Sequence, residues 1–80
     1  MASVPDLRGQ SAYAFLNWTV RERGWTLAFN DEGSLRAAQE TIVEGRLEQL
    51  TPDEALGAVM QASRLGYRVA DGKLVVSTQP

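Results

Sequence analysis

Eighty residues, 44% of them apolar, with a net charge of −2 and neither cysteine nor histidine, bound one small domain and exclude much chemistry. Disulfides, thiol nucleophiles, imidazole bases and the usual zinc sites are out of reach. Seven arginines and one lysine stand singly or in pairs among ten acidic residues, which is not the clustered basic charge that nucleic acid requires. No apolar run approaches the ~18 residues of a membrane span. Met1-Ala2-Ser3 lacks the basic start and apolar stretch of a signal peptide. A chain of this length buries only about 60–65% of its unfolded surface, so its stability should be modest.

In chain order, Ser3 to Leu7 reads as a short first strand, which Pro5 confines to an edge. Gly9-Gln10 turns the chain and Ser11 caps the first helix, where Ala12, Phe15, Leu16, Thr19 and Val20 form one stripe at helical spacing. Tyr13 and Trp18 lie off that stripe. Two readings stand for Trp18: a helix covered on two sides, or an aromatic exposed at a partner surface. Gly24 ends the helix, and Trp25, Leu27 and Phe29 alternate with Thr26, Ala28 and Asn30 as a strand with one buried face. Asn30 to Glu40 is expected to be a loop with one helical turn, Leu35 to Gln39, capped by Ser34. Thr41 to Leu47 then reads as a third strand, with Val43, Gly45 and Leu47 inward and Ile42, Glu44 and Arg46 outward.

Thr51-Pro52-Asp53-Glu54 opens the second helix with an N-cap, a proline at the first helical position and a glutamate placed to complete a capping box. Its apolar side is Leu56, Val59 and Met60. Ala55, Ala58 and Ala62 beside them leave room for a close neighbour, most simply the first helix. Gly66 is expected to end this helix with positive φ. Tyr67 to Ala70 and Lys73 to Val76 flank Asp71-Gly72, a type I′ hairpin signal. The two-residue loop pairs Val69 with Leu74 and Tyr67 with Val76 on one face. Gly24-Trp25-Thr26-Leu27 and Gly66-Tyr67-Arg68-Val69 lie 42 residues apart and share an order of glycine, aromatic, polar, aliphatic. A strand–helix–strand unit used twice follows. The fold class is α+β: β-α-β-β-α-β-β, with two helices between two small sheets, one formed by the second strand with the final hairpin, the other by the first and third strands.

The acidic groupings find structural uses. Asp53 and Glu54 belong to the cap, and Asp31 and Glu32 to a solvated turn; Asn30 to Ser34 lacks the alternating oxygen ligands of a calcium loop. Gly33 has no companion glycine or lysine to make a phosphate loop. Neither catalysis nor a cofactor or metal is expected.

Leu50-Thr51-Pro52-Asp53-Glu54-Ala55-Leu56, then Leu65-Gly66-Tyr67-Arg68-Val69, a polar turn and Leu74-Val75-Val76, resemble the second half of the secretin and TonB short N-terminal domain. Leu7 to Ser11, Phe15 to Glu22 and Gly24 resemble its first half, so the likeness spans residues 4–77, with 1–3 and 78–80 as flanking tails. Within that family the chain is most similar to the C-terminal domain of FecR-type proteins, membrane-anchored regulators of sigma factors. The resemblance implies a non-enzymatic, monomeric interaction domain excised from a longer periplasmic protein, which relays a signal from an outer-membrane receptor's signalling domain. It leaves open a TonB-dependent receptor's own signalling domain, a peripheral domain of a secretin, or an assembly domain without a signalling role. Flanking sequence separates these: an upstream membrane helix favours the regulator, a downstream plug and barrel the receptor. Ile42, Glu44 and Arg46 on the third strand, as an open edge, and Trp18 are the candidate partner-binding residues. The alternative for the third strand is that the Leu35 loop covers Ile42 and the two charges are merely solvated.

Overall fold

The computed structural model describes residues 9–44 and 47–78. The predicted first strand, Gly45 and Arg46 lie outside them. The α+β class is borne out: helix α1 (Ala12–Arg23), strand β1 (Thr26–Phe29), helix α2 (Glu32–Glu40), helix α3 (Pro52–Ser63) and strands β2 (Leu65–Ala70) and β3 (Lys73–Thr78). The sheet order is β1-β3-β2, with β1 parallel and β2 antiparallel to the central last strand. The second predicted strand thus joins the final hairpin, as expected.

Local chemistry sets the ends of these elements. The Ser11 hydroxyl accepts from the Ala14 amide at 3.2 Å, and Gly24 ends α1 in the left-handed region. Every residue of the predicted α1 stripe is buried. In α3 the capping box is complete: the Glu54 amide donates to Thr51 Oγ1 at 3.2 Å and the Thr51 amide donates to Glu54 Oε1 at 3.0 Å. Asp71 and Gly72 both have positive φ, as a type I′ turn requires. Val69 faces Leu74 and Tyr67 faces Val76 in the observed register.

The helices cover one face of the sheet, and the core runs from Phe15 and Leu16 through Leu56, Val59 and Met60 to Leu74 and Val76. The hydroxyls of Thr19 and Ser63, both buried, donate to the carbonyls of Phe15 and Val59 at 3.0 and 2.7 Å, which satisfies them within their own helices. At the surface, Arg23 at the end of α1 meets Asp53 at the start of α3 at 2.6 Å and lies 5.5 Å from the Trp25 ring centroid.

Four expectations are corrected. Residues 32–40 form a full helix where a loop with one turn was expected, and its cap is Asp31, whose carboxylate accepts from the Ser34 amide at 2.7 Å. Ser34 is itself buried, its Oγ 2.7 Å from the Asp31 carbonyl and 3.3 Å from that of Val76. Among the described residues of the span 41–47, no extended strand forms. Ser11 and Ile42 make one antiparallel bridge, supported by amide-to-carbonyl bonds from Gly9 to Val43, Val43 to Gln10 and Ala12 to Thr41, and residues 47–49 form a short 3₁₀ turn. The second sheet is therefore reduced, among the described residues, to that pairing. Third, α3 ends at Arg64 in the left-handed region, while Gly66 lies inside β2 without positive φ. Fourth, only Ala55 of the three alanines is buried; Ala58 and Ala62 are exposed.

Candidate partner-binding surface

Sequence reasoning placed the partner edge at Ile42, Glu44 and Arg46. Ile42 is exposed at 49%, consistent with an outward side chain, and among the described residues it makes a single bridge. Ile42 and Glu44 do line a groove of about 550 Å³, facing Ala58, Val59 and Ala62 of α3. Arg46 lies outside the described residues. Trp18 does not line that groove; it is half-buried against the core, 6.0 Å from the Phe15 ring. Tyr13, the other aromatic off the stripe, stacks on Phe29 at 5.9 Å. Contacts of α1 with α2, α3 and β1 make the two-sided cover the better account of both aromatics.

Among the described residues, the more open sheet edge is β2. Leu74 and Val76 in the central strand are fully buried, yet their cross-strand neighbours Val69 and Tyr67 are 44% and 43% exposed. All four share a face, so the difference comes from position: β2 is at the margin of the sheet, beyond the reach of the helical layer. Ala70 and Lys73 flank the two-residue turn and form a hydrogen-bonded pair, so narrow and wide pairs alternate from there. That alternation leaves the backbone N–H and C=O of Tyr67 and Val69 pointing away from β3. Beside them, Gly57, Met60, Gln61, Leu65, Gly66 and Tyr67 line a shallow groove of about 500 Å³ between α3 and β2.

The opposite edge is less open. β1 has four residues, and Leu27, Ala28 and Phe29 are half-buried. Charge also separates β2 from the rest of the molecule. Arg64, Arg68 and Lys73 are exposed along the hairpin with Asp71 as its one acidic residue, within a chain of net charge −2. Sequence periodicity contained the alternation of Tyr67 and Val69 with Arg68. Their exposure depends on strand order, which periodicity does not carry. Among the described residues no group of three or more acidic side chains comes together as metal ligands, and no helix is long and apolar enough to cross a membrane. Comparison with protein-family models, with curated proteins and with solved structures gives no match.

Proposed function

We propose that this chain is a non-enzymatic protein-interaction domain of the secretin and TonB short N-terminal type, acting in the periplasm as part of a FecR-like, membrane-anchored sigma-factor regulator. Its partner would be the signalling domain of an outer-membrane receptor, whose state it relays. The observation that supports this reading best is the doubled helix-into-strand unit. Helix α1 enters β1 and α3 enters β2 through left-handed residues, and both strands flank β3. The sequence carries the same doubling, with glycine, aromatic, polar and aliphatic residues repeated 42 positions apart. The exposed edge of β2 gives such a domain a surface on which to meet a partner.

Calorimetric titration with a TonB-dependent receptor's signalling domain from the same organism tests it. One-to-one binding with Kd on the order of 1–10 μM is expected for a transient signalling contact. Absence of heat and of amide shifts at about 100-fold higher concentration would reject the relay function and leave an assembly role.

A further inference from the structure

We infer that the edge of β2 at Tyr67 to Val69, which no described strand pairs, is a strand-addition site for an extended segment of a partner protein in which one acidic residue stands between two apolar ones. Register fixes this pattern. An added strand pairs its residues with Tyr67, Arg68 and Val69 in turn, and directly opposed side chains share a face. The residues opposite Tyr67 and Val69 lie on the helix side, where those two side chains are 43% and 44% exposed and ask for apolar cover. The residue opposite Arg68 lies on the other face, where Arg68 stands across from Val75 and Lys73 is near. An aspartate or glutamate there meets positive charge.

Helix α3 supplies a second, independent mark. Gly57 sits in the helix interior, where glycine is destabilising relative to alanine. A Cβ built at Gly57 would meet nothing within 4 Å, so no close packing in this chain demands glycine there. The space beside it is the groove that Tyr67 also lines, and the apolar residue opposite Tyr67 enters that groove. A second copy of this chain fits the edge less well. Two β2 strands paired antiparallel and centred on Arg68 set arginine against arginine, which is destabilising.

The probe is a capped synthetic heptapeptide with glutamate flanked by two valines in a serine and threonine frame, and a control with lysine for glutamate. Titrated into the folded domain and followed by backbone amide NMR, the glutamate peptide should shift Tyr67 to Ala70 and Gly57 to Gln61. The lysine peptide should bind about three- to tenfold more weakly. Arg68→Glu should reverse that preference. Val69→Pro removes an amide that points away from β3, so it should abolish binding with the Leu74 and Val76 amides unmoved. Gly57→Leu should weaken binding by filling the groove. Shifts elsewhere, no shifts at millimolar peptide, or concentration-dependent shifts of Tyr67 to Ala70 without peptide would each overturn the site, the last in favour of a second copy. Strand addition rests on the domain being a protein-binding module, yet the two fail separately. A receptor domain that binds without touching β2 rejects only the edge; a peptide that binds where no receptor domain does rejects only the signal relay.

Discussion

Two helix-to-strand junctions in this chain make the same turn with different residues. Helix α1 ends on Gly24 at φ 72°, ψ 25°, and α3 ends on Arg64 at φ 57°, ψ 41°. Glycine enters that left-handed region almost freely, whereas an L side chain pays about 1–2 kcal/mol. The glycines 42 residues apart in sequence are therefore not equivalent in structure. Gly24 matches Arg64, and Gly66 has passed into β2 opposite Ser77. The hairpin accounts for the shift. By leaving the helix at Ser63, the chain gains the pairs Leu65 with Thr78 and Gly66 with Ser77 and buries Leu65 almost completely. A glycine near a helix end marks the junction; the competition between the last helical turn and the strand ladder chooses the residue.

The sharpest way to break this comparison is Gly24→Val. Nothing lies within 4 Å of a Cβ placed there, so the cost is purely backbone strain, about 1–2 kcal/mol. Thermal unfolding should fall by roughly 5–15 °C; an unmoved midpoint would show that α1 does not end in the left-handed turn. Next in size are the two helix starts. Thr51 takes part in two reciprocal bonds and Ser11 accepts one, so Thr51→Ala should cost about 1 kcal/mol and Ser11→Ala nearer ~0.5 kcal/mol by urea unfolding. Equal losses would remove the distinction between box and simple cap. Arg64→Gly should stabilise by only ~0.5 kcal/mol, because relief of the left-handed strain is offset by the greater freedom of glycine in the unfolded chain. Destabilisation instead would mean that Arg64 makes a contact worth more than its strain.

Legibility followed the size of the buried side chains. The stripe Ala12, Phe15, Leu16, Thr19 and Val20 and the Asp71-Gly72 hairpin were readable because large apolar residues recur at one period. Helix α2 was not, since the residues it buries are Ser34 and Ala38. Its cap reads from Asp31, three residues before the buried serine, and a polar run with glycine at its second helical position looks like a turn. Thr41-Ile42-Val43 carries the β-branched residues of a strand, yet a strand needs a partner along its length, and among the described residues one bridge to Ser11 is what it finds. The edge at Tyr67 and Val69 was not legible in the sequence either. Alternation tells which residues share a face, but only the sheet order shows that Tyr67 and Val69 lie at its margin.

The smallest effect expected concerns acid. Glu54 is held below the ordinary carboxylate range, first by the hydrogen bond from the Thr51 backbone amide and then by the Thr51 side chain. The box that starts α3 therefore favours the charged carboxylate, and α1, with no acidic residue in its first turn, has no counterpart. A depressed folded-state value means that the contribution is fully present above the ordinary glutamate range. It is lost as pH falls through the lowered folded-state value. Urea unfolding of the natural chain and of Glu54→Gln, followed from about pH 7 to about pH 2.5, isolates the term, because every other carboxylate is common to both. The natural chain should lose stability relative to the variant only in the lower part of that range. Salt distinguishes the cause: a hydrogen bond persists at 1 M salt, roughly, whereas the exposed Arg23–Asp53 pair fades. Parallel curves for the two proteins down to the acid limit would mean that the Glu54 carboxylate does not close the box in solution, and the two helix starts would then be alike.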